Sequence, residues 1–225
     1  MDLRIISLLG IVIGIILYSV VFASEYVFFM QTGDKKYNFL RFFPYELNQF
    51  KRHNKKTYLF LTIELLAFLC LTCGALFPAI YFAHKFNMVI TSYSMFIVSM
   101  VSLISFLVLR FVKLTLFKSH LFFISIFVSF NLLTLMLYYL FFTNPSYQYV
   151  TEVPIKIVVI VVILLLVIFE LILMFNKTYK NWAKMVKMDA ELISRPKYCY
   201  LPMLEWGNFL IYILSFMPLI IVMFF

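Results

Sequence analysis

The places in this sequence where chemistry could concentrate are ionisable or amide side chains set inside otherwise apolar stretches: Glu64, Arg110, Glu170 and Asn131. A charge in hydrocarbon is costly unless it is paired or hydrated, so such residues mark either a mechanism or a structural lock. Counted from residue 58 at about 1.5 Å per residue, Glu64 lies about 9 Å into its stretch. Glu170 lies about 7 Å from the end of another stretch by the same count, and Arg110 closes a third. Three helices would thus deliver two carboxylates and one guanidinium to the same third of a bilayer. Pairing there would offset the desolvation of each, with Arg110 bridging Glu64, Glu170 or both. The alternative is that Arg110 and Glu170 each reach the headgroups independently. Asn131 falls near the middle of its stretch, where an amide bonds to a neighbouring helix.

The elements that position these groups follow from hydropathy. A helix crosses a hydrocarbon core about 30 Å thick with about 20 residues. Six stretches approach or exceed that length, at about 5–29, 58–83, 88–110, 121–142, 155–175 and 208–225. The last is the shortest and contains Pro218. The expected fold is an all-α polytopic transmembrane bundle forming one membrane domain over 1–225. With 64% of the residues hydrophobic, the connections are too short to bury a core of their own.

Charge sets the orientation. Of the 19 Lys and Arg residues, only Arg4, Lys85 and Lys156 fall on the side of the first, third and fifth boundaries. Lys35, Lys36, Arg41, Lys51, Arg52, Lys55 and Lys56 crowd the first long connection, and Lys177, Lys180, Lys184, Lys187, Arg195 and Lys197 the last. The positive-inside rule places those connections in the cytoplasm and both termini outside, in a cytoplasmic (plasma) membrane. The net charge of +9 then reflects topology, and no nucleic-acid partner is expected. Val21-Phe22-Ala23 before Ser24 has the spacing of a signal-peptide cleavage site, but cleavage would carry the basic first connection outward, so retention of the first helix is expected.

Two connections carry interfacial patterns. Near 35–56, Tyr37, Leu40, Phe42, Phe43, Tyr45, Leu47 and Phe50 mix with basic residues around Pro44, the composition of a segment lying in the headgroup layer. Over 176–196, Tyr179, Trp182, Val186, Ala190 and Ile193 recur at helical spacing opposite a row of lysines, before Pro196. Membrane lipids are the expected contacts of both segments, with a protein partner as the further possibility. Tyr138, Tyr139, Phe141 and Phe142, followed by Tyr147 and Tyr149, read as an interfacial aromatic belt.

Other motifs carry less. Cys70 and Cys73 have redox-pair spacing, but a span offers no means of favouring a thiolate, so a structural role is expected. His53, His84 and His120 are scattered over separate connections, and no metal, cofactor or catalytic residue is assigned. Gly10 and Gly14 form a G-x-x-x-G spacing that lets a helix approach closely, and Pro78 is placed to kink its helix. Thr91, Ser92, Ser99 and Ser102, with Ser125, Ser129 and Thr134, suit helix packing or a wet pathway. With five glycines in all and no phosphate loop or hydrolase signature, the leading expectation is a non-enzymatic membrane protein. It would be an embedded subunit of a complex or a small permease component. A transporter or channel with Glu64 as an ion-sensitive group, and an enzyme for a lipid-linked substrate, are the alternatives.

Overall fold

The structure is a computed structural model that describes residues 2–32, 38–39, 42–49, 57–112, 116–144, 153–176 and 200–224. The described residues form eight helices and no strand: α1 (Leu3–Thr32), α2 (Pro44–Gln49), α3 (Thr57–Phe86), α4 (Val89–Leu109), α5 (Phe117–Thr143), α6 (Val153–Met174), α7 (Tyr200–Leu214) and α8 (Met217–Phe224). Six rods are long and apolar enough to cross a membrane, the sixth built from α7 and α8 together. The chain is an integral, multi-pass helical bundle.

The sixth rod starts earlier than hydropathy implied, at Tyr200 instead of about 208. Pro202, Glu205 and Asn208 lower the apparent hydropathy of this turn, yet none of them faces lipid. Pro202 occupies the first helical turn, where a missing N–H costs nothing, and Glu205 and Asn208 are buried. The rod breaks at Ser215 and Phe216 and resumes with Pro218 in the first turn of α8, again where proline is tolerated.

Apolar burial alone does little to hold such a bundle, because lipid tails solvate leucine as well as a protein core does. Close packing and polar contacts must contribute instead, and α1 against α3 shows both. A Cβ on Gly10 would come within 2.9 Å of the Cys70 carbonyl oxygen, and one on Gly74 within 2.9 Å of the Ile11 nitrogen. The Gly10/Gly14 spacing is therefore spent inside the chain, on α3. Pro78 adds a second consequence. Lacking an N–H, it leaves the Gly74 carbonyl, four residues earlier, without its helical donor. The buried Ser7 hydroxyl donates to that oxygen from α1 at 3.0 Å. α3 continues as helix through Pro78 to Phe86, after which Asn87 adopts φ 55° to turn the chain into α4.

α4 lays Ser92, Ser99, Ser102 and Ser105 inward in its packing with α5, and Ser102 donates to the Phe127 carbonyl at 3.4 Å. α6 buries only the stripe Val159, Ile163, Leu166 and Glu170. Tyr138, Phe141 and Phe142 are buried, the last two against Phe82 of α3, with Phe82 and Phe141 rings 4.7 Å apart. These residues are core, not the interfacial belt expected of them; Tyr139 alone of the group is exposed. Tyr147 and Tyr149 lie outside the described residues.

The segment around Pro44 also departs from expectation. Phe43, Tyr45 and Leu47 are buried in protein, not laid on a surface. α2 is short but well capped: Pro44 is its first residue, and the Phe43 N–H donates to the Glu46 carboxylate at 2.6 Å, the reciprocal half of a capping box. It forms a plug in the end of the bundle where α1 finishes and α3 begins. The expected amphipathic stretch over 176–196 falls, beyond Asn176, outside the described residues.

Candidate functional site

Beneath that plug the bundle holds its charges. Arg110 follows the last residue of α4, its backbone N–H still donating to the Phe106 carbonyl. Its side chain is 0% exposed. The Nε donates to Glu64 Oε1 of α3 at 3.0 Å. Nη2 donates to Glu25 Oε2 of α1, and Nη1 to the Pro44 carbonyl of α2. The guanidinium carbon lies over the Phe22 ring, 4.7 Å from its centre. One side chain thus ties α4 to three other helices through hydrogen bonds from three different nitrogens, and sits over Phe22. This geometry suits a planar fork of five donors and cannot be copied by an ammonium.

Alongside it, His120 in the first turn of α5 is held from both sides. Nδ1 lies 3.0 Å from the Val112 carbonyl, which can only accept, so Nδ1 carries a proton. Nε2 lies 2.5 Å from Glu205 Oε1 of α7, and the two groups hold one proton between them. The imidazole edge meets the rings of Phe43 and Tyr45, at 6.0 and 5.5 Å between centres. Trp206, the next residue of α7, donates its indole N–H to the Phe42 carbonyl at 3.0 Å. The plug is therefore fastened by Arg110 at Pro44 and by Trp206 at Phe42, with His120 packed on its rings.

The residues singled out from sequence divide into two groups. Glu64 and Arg110 form a direct ion pair, as the desolvation argument anticipated. Glu170 does not join them, so the bridge from Arg110 to Glu170 is corrected. Glu170 is buried on α6 opposite Asn131 of α5, and the carboxyl and the amide face each other without closing a hydrogen bond. Asn131 is eleven residues along α5 from His120, about 16 Å deeper into the bundle. Counting inward from the end of each stretch assumed that all six ended in one plane; the α5/α6 register places Glu170 well inside it.

Glu25, His120 and Glu205 were not recognised from sequence as site residues. Glu25 sits just beyond the most apolar part of α1, and His120 and Glu205 occupy stretches read as connections. The signal that bears on them is stoichiometric: one buried guanidinium presents more donors than Glu64 alone can accept. Tyr18, Ser99 and Tyr212 are further buried polar residues toward the middle of the bundle. Among the described residues no group of three or more His, Cys, Asp or Glu side chains is arranged to hold a metal ion. Two open apolar grooves flank α7, one shared with α1 and one with α6, and neither is lined by Glu64, Ser99, Ser102 or Asn131. No protein-family model, curated protein or solved structure matches this chain, and its function must be read from this geometry.

Proposed function

We propose that this chain is a non-enzymatic integral membrane protein that works as an embedded subunit of a larger membrane assembly or as a small permease component. The observation that carries the reading is the closure of the charged network. Arg110, Glu25, Glu64, His120 and Glu205 are all buried and all engaged with one another or with backbone carbonyls. A general acid, base or nucleophile must come within hydrogen-bond reach of a substrate atom, and these groups are sealed by α2 and the aromatic rings around it. The same closure disfavours Glu64 as an ion-sensitive gate, since its charge is matched by Arg110. A network of this kind fixes how five helices and a plug fit together, which is what a scaffold requires.

Partner contact is assigned to the basic connections that follow α1 and α6, whose lysines and arginines suit an acidic protein surface on the cytoplasmic side. Purification in mild detergent with quantitative mass spectrometry tests this. The expected result is a stoichiometric partner retained by the native chain and lost when Lys51, Arg52, Lys55 and Lys56 are replaced by Gln. A chain that purifies alone with a bound polar metabolite would overturn the proposal in favour of a transporter or enzyme.

A further inference from the structure

Among the described residues the buried glutamates are Glu25, Glu64, Glu170 and Glu205. Glu25 and Glu64 share Arg110, and Glu205 has His120. Glu170 is the one with no cation beside it. α6 turns it inward at 0% exposure, at the end of the stripe Val159, Ile163 and Leu166. The polar group its carboxyl meets is the Asn131 amide, also 0% exposed, at the midpoint of the span Lys118–Thr143. An ionisable side chain at that depth is costly, and where no counter-ion offsets the cost it marks function.

The titratable groups on the helices packed against α6 are engaged or remote. On α5, His120 is held by Glu205 about 16 Å nearer the plug, Lys118 is exposed at the helix start, and Tyr138 lies about 10 Å beyond Asn131. On α7, Tyr200 is exposed at the start, Glu205 is the partner of His120, and the Tyr212 ring packs on Phe127 and Phe216. α8 has no ionisable side chain. On α6 itself, Lys156 is about 21 Å away along the axis. What this pair can hold follows from its donors. A metal cation of the calcium or magnesium class takes about six oxygens, and the carboxyl and amide together offer three. A proton needs one. The amide serves both forms of the carboxyl, since its Nδ2 can donate to the anion and its Oδ1 can accept from the acid.

We infer that Glu170 is a reversible proton-binding site in the middle of the membrane, with Asn131 as the positioning residue that receives both its forms. Binding adds one proton to one carboxylate oxygen and removes one negative charge from the bundle interior. In a permease component this is the group at which a proton gradient would couple, a use that rests on the reading above; the proton site itself does not, and it is tested on the purified chain without a partner. In phosphatidylcholine vesicles, infrared difference spectra taken between about pH 5 and pH 9, a range in which buried carboxyls titrate, should show a protonated-carboxyl band that disappears and returns with pH. The band should be missing from Glu170→Gln, which keeps the side chain's shape and whose melting temperature checks that it folds. Asn131→Leu should move both the frequency of the band and its titration midpoint, the latter by about one pH unit or more, which a packing role would not do. The open aliphatic groove between α6 and α7 is lined by Leu166 and Leu173, one turn to either side of Glu170, and gives an apolar reagent an approach from the lipid. Dicyclohexylcarbodiimide, which adds to protonated carboxyls, should therefore modify Glu170 in preference to Glu25, Glu64 and Glu205, and more slowly as pH rises. A carboxyl band that persists unchanged in Glu170→Gln would overturn the inference. So would a Glu170 band that does not respond to pH, the mark of a permanently neutral packing group.

Discussion

Replacing Arg110 by Ala removes a guanidinium that three acceptors share, and the consequence can be worked from its contacts. Glu64 keeps its carboxylate at 0% exposure with its Arg110 partner gone. Glu25 and the Pro44 carbonyl lose a donor in the same step. Removing one partner of a buried ion pair costs about 3–5 kcal/mol, because the charge that remains loses its counter-ion inside the bundle. For a chain of 225 residues, at about 2–4 °C per kcal/mol, the melting temperature in detergent should fall by about 6–20 °C. Thermal unfolding followed by near-ultraviolet circular dichroism, at fixed detergent and protein concentration, measures it.

Two companion variants separate charge from geometry. Arg110→Lys keeps the charge but cannot reach three separate acceptors from three spread nitrogens, so it should recover less than half of the loss. Arg110→Met combined with Glu64→Leu and Glu25→Leu removes the network entirely and should melt closer to the native protein than Arg110→Ala does, since no buried charge is stranded. If Arg110→Ala melts within about 2 °C of the native chain, less than 1 kcal/mol on the same scale, the network does not hold the helices and the reasoning fails.

The remaining predictions use the same unfolding assay unless stated. Glu170→Leu should be neutral or stabilising, because it replaces an unpartnered buried carboxyl by an apolar group of similar size, whereas Glu64→Leu should destabilise by several degrees. Ser7→Ala should cost about 1 kcal/mol by orphaning the Gly74 carbonyl. In a Pro78→Ala background, where residue 78 regains its N–H, that cost should shrink toward zero, and an undiminished cost would show that the Ser7 bond is not serving the proline gap. Gly74→Ala should destabilise by about 1–3 kcal/mol, since its Cβ meets Ile11 backbone and side chain. Single cysteines at Lys55 and Lys184 in a cysteine-free background should react with an impermeant maleimide from the same side of sealed vesicles. Labelling from opposite sides would contradict the six-span topology.

Hydropathy was enough for the architecture because the cost it measures is local: each span must be apolar over its own length, whatever its neighbours are. It misplaced the start of the sixth rod for the converse reason. Glu205 and Asn208 count as polar in a window, but their polarity is satisfied by His120 across the bundle and by the Leu204 carbonyl within α7. The same limit hid the plug. Phe43, Tyr45 and Leu47 beside basic residues have the composition of a headgroup segment, and nothing local distinguishes a segment lying on a bilayer from one capping a bundle. What decides is the Pro44 carbonyl, an acceptor sixty-six residues away from the guanidinium that uses it.

The site was legible to the extent that cost alone determines pairing. Glu64 and Arg110 are charges at similar depth in spans with no cheaper way to be neutralised, and they meet. Glu170 satisfied the same criterion and does not meet Arg110, because depth along a helix fixes neither its axial offset nor the face it turns. α6 turns Glu170 with Val159, Ile163 and Leu166 toward α5, so the residue opposite is Asn131. That separation gives the two carboxyls opposite consequences under the same substitution. Glu64 is held by a buried counter-ion, Arg110, whose removal leaves its charge unmatched, and Glu170 has no counter-ion to lose. A bundle organised by charge pairing should therefore be insensitive at Glu170 and sensitive at Glu64, although hydropathy ranks the two positions alike.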